Sequence, residues 1–193
     1  MKMLLSVLLL LLCSSCVQLG GDTQPLRYYL LQPNEAAQPV ALQSDAAVLI
    51  EPIRLPAYLD RPQLTTHNNQ NQVIIAPLDR WAEPLEENFS RILHENLSRH
   101  LQPSRVDSSL NAAGNNNLTL SLIVNSFDGI IDKQISVDIR WKITAEKPVK
   151  EVRQGRFTLD APLGTGYSQL VRGLNEALND FSFKLAQELA KQN

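Results

Sequence analysis

Cysteine is scarce in this chain, with only Cys13 and Cys16 among its 193 residues. Both lie at the end of an N-terminal apolar stretch. Cleavage before Cys16 would leave that residue as the single cysteine of the mature chain. An intramolecular disulfide could then not form even in an oxidising compartment, so we expect the folded domain to depend on its apolar core.

Long apolar stretches are also scarce. Residues 3–12 are apolar except for Ser6, but a helix that crosses a hydrocarbon core of ~30 Å needs about 20 residues. No later segment of the sequence combines that length with enough apolar residues. The sequence therefore predicts a mature protein without a transmembrane helix.

An excess of positive charge is missing as well. The chain has 18 basic and 20 acidic residues, which gives a formal charge of −2. Loss of Lys2 on processing would leave 17 basic residues against 20 acidic ones, a charge of about −3. Proteins that bind nucleic acid present a basic patch to the phosphates, so the composition argues against DNA or RNA as a partner.

The sequence lacks a recognisable catalytic set. Its three histidines are His67, His94 and His100. His94 lies one helical turn from Ser90 and from Ser98, but a nucleophile also needs an oriented base and an oxyanion site. No HExxH motif or Cys/His cluster is present, and the glycines that flank Thr165 lack the pattern of a phosphate-binding loop. We therefore predict a protein that is not an enzyme and that binds no metal or other cofactor.

The N-terminal residues have the features of a cleaved export signal, with a basic residue at position 2, an apolar stretch and small residues before a cysteine. The sequence Cys13-Ser14-Ser15-Cys16 resembles the bacterial lipobox, although leucine is usual at the position of Cys13. Cys16 follows the small Ser15, whereas Cys13 follows Leu12, so we predict covalent lipid on Cys16. The alternative is an ordinary secretory signal with an incidental cysteine.

These features predict the organisation of the chain. Residues 1–15 are a signal peptide, residues 16–25 are a lipidated, glycine-containing tether, and residues 26–193 form one periplasmic domain. At ~3.3 Å per residue the tether reaches at most about 30 Å. Bacterial lipoproteins with Asp after the cysteine tend to stay in the inner membrane. Val17 occupies that position here, and resemblance to this sorting rule indicates the outer membrane.

Hydrophobic periodicity predicts the secondary structure. Short apolar or β-branched runs bounded by Pro, Asn and Asp predict strands at residues 26–31, 47–53 and 73–78. Strict alternation predicts a hairpin of residues 118–125 and 134–143 with its turn at Asp128-Gly129, and a further strand at residues 151–159. Apolar residues at three- and four-residue spacing predict helices at residues 84–101 and 167–189.

This order of elements predicts an α+β fold with a single, largely antiparallel sheet and two helices packed on one face. The alternation within the strands leaves the other face of the sheet semi-polar. That face is available to water, a second subunit or a partner.

Two stretches of the sequence combine rigidity with conspicuous side chains. Residues 51–63 contain three prolines, and an Arg-Trp pair precedes the first helix. One interpretation is a stiff loop in which Tyr58 and Trp81 pack at the edge of the core and Arg61 or Arg80 pairs with a carboxylate. The other is a preorganised surface for a partner or subunit, formed by Leu55, Pro56, Tyr58, Leu59, Asp60, Arg61, Pro62, Arg80 and Trp81.

The same stretches carry a family resemblance. Leu-Pro-Ala-Tyr-Leu-Asp-Arg-Pro-Gln at 55–63, Arg-Trp-Ala-Glu-Pro-Leu at 80–85, Asn96-Leu97, Phe127-Asp128-Gly129 and the Trp141 strand resemble the PqiC (YmbA-like) ABC-type transport auxiliary lipoprotein family. The resemblance spans nearly the whole mature chain. It implies an outer-membrane lipoprotein that partners a PqiB-like MCE-domain protein in moving lipids across the periplasm. It also implies ring-shaped homo-oligomers and a link to membrane-stress tolerance.

Three hypotheses for the function follow. The first is a docking component that receives the end of a periplasm-spanning lipid conduit. The second is a lipid carrier that holds an acyl chain in an internal pocket between sheet and helices. The third is an enzyme that uses Ser90, His94 and Ser98.

Overall fold

The computed structural model describes residues 24–41, 47–101, 106–107, 118–146 and 149–191. The predicted signal peptide and Cys16 lie outside the described residues. Within these ranges the chain forms eight strands and two helices. The strands are β1 (Arg27–Tyr29), β2 (Val48–Ile50), β3 (Gln63–His67), β4 (Val73–Trp81), β5 (Val106–Asp107), β6 (Leu118–Ile130), β7 (Gln134–Glu146) and β8 (Val149–Pro162). The helices are α1 (Leu85–Leu101) and α2 (Tyr167–Ala190).

The α+β class is confirmed, but the prediction of one sheet is imprecise because the described strands form two. The larger sheet has the order β5-β2-β6-β7-β8 and the smaller has the order β1-β4-β3. Both sheets are mixed, since β2 runs parallel to β5 and β6, and β1 runs parallel to β4. The prolines of residues 52–62 explain the division. A proline donates no ladder hydrogen bond. After a last bridge to β6 at Arg54, the chain leaves the larger sheet and returns to the smaller one at β3, beside β4.

The hairpin of β6 and β7 is longer than the sequence pattern indicated. The two strands pair from Leu118 opposite Ala145 to Ile130 opposite Gln134. The turn therefore lies at residues 131–133, and the prediction of a turn at Asp128-Gly129 was wrong. Asp132 adopts a φ of 59° in this turn, a conformation that Asp tolerates better than most residues.

Both helices match their predicted bounds to within about a residue. Pro84 precedes α1, whose first turn contains Glu86 and Glu87 and whose last turn contains Arg99, charges that complement the helix dipole. Gly166 precedes α2 with a φ of 85°. Its N–H donates to Asp132 Oδ1 at 2.7 Å, which connects the start of α2 to the β6–β7 turn.

The core lies between the larger sheet and the two helices. Helix α2 covers β6, β7 and β8, while α1 packs beside α2 and near β5. The rings of Phe89 and Phe127 meet edge to face with centroids 5.1 Å apart. The fully buried side chains include Phe89, Phe127, Phe181, Leu31, Ile53, Leu64, Ile92, Leu93, Leu97, Leu101, Leu120 and Leu122.

Two buried asparagines of α1 fix the segment that follows β1. Asn88 Oδ1 accepts from the Leu31 N–H at 2.7 Å, and Asn96 Oδ1 accepts from the Asn34 N–H at 2.8 Å. The amide of Asn96 also donates to Asn179 Oδ1 on α2 at 2.8 Å. These amides supply partners to backbone groups that lie away from water, where an unpaired group is costly.

Candidate functional site

The proline-rich stretch, which we call the contact segment (residues 55–62), is a folded turn. Just before it, Arg54 forms an isolated parallel bridge with Ile123 of β6. Within it, the Leu59 N–H donates to the Pro56 carbonyl at 2.9 Å, and the Asp60 N–H donates to the Ala57 carbonyl at 3.3 Å. The prolines and these short-range bonds restrict the backbone, so the segment is largely ordered before any partner binds.

A polar cluster attaches the contact segment to the larger sheet. Tyr58 donates its hydroxyl to Asp128 Oδ2 at 2.8 Å. His67, at the end of β3, places Nδ1 3.5 Å from the same oxygen. Asp128 is only 2% exposed. The cluster therefore joins the contact segment, the smaller sheet and the larger sheet at one carboxylate.

Burial controls the electrostatics of this cluster. Removal from water raises the pKa of the Asp128 carboxyl, and the bonds from Tyr58 and His67 only partly oppose that effect. Burial and the neighbouring carboxylate also raise the pKa of the Tyr58 hydroxyl. Tyr58 therefore remains protonated at neutral pH and can act as a hydrogen-bond donor to Asp128.

The structure buries two of the proposed contact residues. Leu59 and Trp81 belong to the core, and the Trp81 N–H donates to the Pro62 carbonyl at 2.7 Å. Leu55 and Tyr58 are half-buried against the same core. The exposed part of the contact segment consists of Ala57, Asp60 and Pro62, with Pro56 half-exposed.

The two arginines differ from what the stiff-loop interpretation expected. Arg61 and Arg80 are half-buried, and the Nε atom of each is enclosed without a hydrogen-bond partner among the described residues. Neither side chain forms an ion pair within the described ranges. The aromatic part of that interpretation agrees with the structure, whereas a carboxylate partner for either arginine is not found there.

A surface groove of about 820 Å³ adjoins the start of the contact segment. Its walls contain the cationic side chains Arg54, Arg140 and Lys142, and the acidic side chains Glu51 and Glu86. Ile123, which is 43% exposed, also lines it. The groove thus offers separated charges of both signs around a small apolar area.

The polar face of the larger sheet is an ordered network. Arg156 donates from Nε and Nη2 to the two carboxylate oxygens of Asp138, at 2.7 and 2.8 Å. These bonds lower the pKa of the Asp138 carboxyl. Asn125 bridges Asp138 and Arg140 from the neighbouring strand. With the exposed Ile123 opposite Arg140, this face is semi-polar, as the alternation in the sequence predicted.

The histidine and serines considered for catalysis are not joined in the described part of the chain. No hydrogen bond joins His94 to Ser90 or Ser98, and the Ser98 hydroxyl is buried without a partner in the described part of the chain. His100 is buried and its Nδ1 lies 2.7 Å from the Gln38 carbonyl. Among the same residues, no group of His, Cys, Asp and Glu side chains could hold a metal ion.

Sequence reasoning missed Asp128 and His67 as partners of Tyr58. Asp128 was assigned to a turn, and His67 was treated only as a possible catalytic residue. The available signal was an acidic residue directly after the apolar Phe127 within the same segment, because a carboxylate inside a strand needs a buried donor. The separation of 70 residues between Tyr58 and Asp128 gave no local clue.

The described residues define a class of protein. It is a packed α+β domain with a preformed surface segment and a polar groove. The chain belongs to the family of ABC-type transport auxiliary lipoprotein components, whose model matches residues 28–186.

The chain is similar to the intermembrane transport lipoprotein PqiC of Escherichia coli K12 and of Shigella flexneri. It is 25% identical to each over 180 residues, which cover 93% of this chain and 91% of the relative. The recognition of the PqiC-like family from the sequence is thereby confirmed.

Solved structures share the fold. One crystal structure of an uncharacterized protein covers 86% of this chain and 99% of its own, with a TM-score of 0.70 and 22% identity. Protein XCC0632 from Xanthomonas campestris covers 82% of this chain and 91% of its own, with a TM-score of 0.64 and 14% identity. Among the described residues, no helix has both the length and the hydropathy needed to span a membrane.

Proposed function

We propose that this protein is a non-enzymatic lipoprotein subunit of an MCE-type system that moves lipids between membranes. The lipid on Cys16 holds it in the outer membrane facing the periplasm, where it docks the tip of a PqiB-like MCE-domain partner and supports the integrity of the envelope. The observation that carries the proposal is the similarity to PqiC, an intermembrane transport lipoprotein, over 93% of the chain.

The contact segment supports a docking role. Tyr58, in the middle of the segment, and the Pro62 carbonyl, at its end, attach it to the rest of the domain, so little conformational entropy remains to be lost on binding. Asp60 is exposed between these two attachments. A rigid segment with a free charge at its apex suits recognition of a folded partner.

The groove beside the segment extends the same surface. Its cations at Arg54, Arg140 and Lys142 lie near the acidic Glu51 and Glu86. Such a mixed pattern favours one orientation of a partner through complementary charges more than it adds raw affinity. The groove and the contact segment together would fix how the conduit meets the outer membrane.

The packing of the interior favours docking over the lipid-carrier alternative. An acyl chain needs an apolar cavity, yet the residues between sheet and helices are in close contact, with Phe157 and Phe181 ring centroids 5.4 Å apart. Residues such as Ile92, Leu97 and Leu178 are fully buried there. Extraction of labelled phospholipid by the purified protein at equal stoichiometry would instead support the carrier.

Docking is tested by co-purifying the detergent-solubilised, lipidated chain with its MCE partner. Asp60→Lys, which reverses the exposed charge of the contact segment, should weaken the complex several-fold. Asp180→Lys is the matched control, because Asp180 is exposed on α2 far along the chain from the contact segment, and its complex should keep wild-type affinity. Failure of the wild-type chain to bind any MCE partner would refute the docking role.

The anchor is tested by membrane fractionation of Cys16→Ala beside Cys13→Ala. Loss of the outer-membrane pool in the first variant and retention in the second are expected. Native mass spectrometry of the solubilised wild type would count the subunits of the proposed homo-oligomeric ring. A monomer at every concentration would remove the ring from the proposal while leaving one-to-one docking intact.

A further inference from the structure

Exposed apolar side chains are concentrated on the smaller sheet. Among the described residues, one exposed large apolar side chain lies on the larger sheet, Ile123. The others lie on β1, on its flanks or on the first residues of β4, and we call them the apolar edge: Leu26, Tyr28, Leu30, Val73, Ile74 and Ile75. Single exposed apolar residues are ordinary, whereas a group of them usually marks a contact surface.

The backbone of β4 is open on the same side. Strand β3 pairs with one side of residues 73–75, while β1 pairs with the other side of β4 only at Asp79, Arg80 and Trp81. Among the described strands, none pairs with that other side of residues 73–78. Open edges are normally protected by charge, proline or a cover. This stretch has no charged residue, and Pro77 is its only edge-protecting residue.

The chain enters the domain beside this open edge. Strand β1 runs parallel to β4, and its first residue, Arg27, lies opposite Asp79. The chain that precedes Arg27 and leads back to Cys16 therefore points toward residues 73–78, away from the C-terminal end of β4. Leu26, just before β1, is 41% exposed. The nine residues from Cys16 to Gln24 are joined by eight peptide bonds and span at most about 29 Å. The side of the domain that carries the apolar edge is therefore the side from which the chain runs to the anchor.

We propose that the apolar edge lies against the phospholipid bilayer and orients the anchored domain, an inference that rests on the lipid anchor of the proposed function. The contact is shallow. Unpaired N–H and C=O groups of β4 would be costly in hydrocarbon, but at headgroup depth water satisfies them while Val73, Ile74 and Ile75 reach the acyl boundary. Tyr28, which is 59% exposed, suits such an interface because its ring is apolar and its hydroxyl is polar.

The test uses the full, lipidated chain in vesicles of phosphatidylethanolamine and phosphatidylglycerol. Single cysteines at Ile75→Cys and Tyr28→Cys carry an environment-sensitive fluorophore, and Cys16 is blocked by its lipid. Ile123→Cys is the matched control for Ile75→Cys, because the Ile123 side chain is 43% exposed and that of Ile75 46%, but Ile123 lies on the larger sheet. Lipids spin-labelled at the headgroup or deep in the acyl chain report the depth of each label.

We expect lipid that is spin-labelled at the headgroup to quench the fluorophores at positions 75 and 28 several-fold more than the fluorophore at position 123. Lipid that is spin-labelled deep in the acyl chain should quench all three only weakly. Equal or absent quenching at the three positions would overturn the inference. Energy transfer between fluorophores at position 75 of two copies, lost on dilution with unlabelled protein, would show that a second copy covers the edge. If no lipid quenching accompanied it, this result would also overturn the inference.

This result is separate from the test of docking. Quenching at positions 75 and 28 with no binding of an MCE partner would refute docking alone. Partner binding without quenching would refute the membrane contact alone.

Discussion

Asp128 is the residue on which the candidate site depends most directly. Its carboxylate is buried, accepts the Tyr58 hydroxyl and lies 3.5 Å from His67 Nδ1, while its Oδ1 atom has no partner among the described residues. A buried carboxylate with one unsatisfied oxygen is costly. Its contribution is therefore to position the contact segment more than to stabilise the fold.

Removal of the Tyr58 hydroxyl should loosen this attachment. Tyr58→Phe keeps the ring packing but leaves the buried Asp128 oxygen without its closest donor, so we expect a loss of about 1–3 kcal/mol in the free energy of unfolding. Urea denaturation followed by circular dichroism measures it. Tyr28→Phe, at an exposed tyrosine, should leave stability unchanged, and an equal loss in both variants would contradict the role of the Asp128 bond.

The raised pKa of Asp128 predicts a pH dependence with a definite sign. A folded-state pKa above the ordinary 3.8 means that the folded protein binds more protons than the unfolded chain. Stability therefore falls as pH rises from 3.8 through the folded pKa. Asp128→Asn, which does not ionise, should lack this fall, so its stability relative to wild type should rise with pH over that interval in urea unfolding.

Asp138→Asn is a control in which the pH dependence of stability should have the opposite sign. Arg156 holds the pKa of Asp138 below 3.8, so its contribution is complete above that value and is lost as pH falls through the folded pKa. The variant should be less stable than wild type at neutral pH and should approach it in acid. The same pH profile in both variants would show that burial of Asp128 is not the cause.

At the scale of elements, the β6–β7 hairpin shows what alternation can and cannot predict. The buried and polar faces were predicted correctly because a period of two needs only local sequence. The turn was misplaced because Asp128-Gly129 has ordinary turn chemistry. In the structure Gly129 is paired with Ile135, and a Cβ there would lie 2.3 Å from the Gln134 carbonyl oxygen. Gly129 therefore allows β6 and β7 to approach each other closely.

Gly129→Ala should therefore be destabilising although it adds one methyl group. Both nearest neighbours of the added carbon are backbone atoms of β7, which cannot move without breaking the register, so a loss of about 1–3 kcal/mol is expected. Thermal unfolding measures it. At Gly164 the added carbon would meet only the Gln169 side chain, so Gly164→Ala should have little effect, and equal stability of the two variants would contradict the close approach.

Whether each of the other elements was predicted depends on how local its sequence signal is. The helices were predicted to within about a residue because apolar spacing, Pro84 and the terminal charges all lie within them. Strand β3 was missed because Gln63–His67 has one large apolar residue, Leu64. Its threonines are buried by tertiary contacts that no local pattern reveals. The division into two sheets likewise depends on which strands meet after the prolines, a long-range property.

At the scale of the molecule, the two ends of the β6–β7 hairpin have different surroundings. Lys133 in its turn donates to Asn69 in the β3–β4 turn at 3.3 Å, so both turns, and the nearby Val73, lie at one end. Ile123 and the groove are seven residues back along β6 from Ile130, about 23 Å at ~3.3 Å per residue. The groove is therefore well separated along the hairpin from the Val73 end of the apolar edge.

This arrangement predicts that partner binding and membrane contact can be altered independently. Arg54→Glu reverses a groove cation, so it should lower the affinity for the MCE partner several-fold. It should leave lipid quenching of the label at position 75 unchanged, because sites this far apart rarely couple. Arg172→Glu, the same change at an exposed arginine of α2, should alter neither readout in co-purification and vesicle assays.

Loss of lipid quenching in Arg54→Glu would mean that the groove itself faces the bilayer. The contact segment would then be turned toward the membrane, and the partner would have to approach the domain from the opposite side. The pair of arginine variants thus decides the orientation of the anchored domain as well as the location of the docking surface.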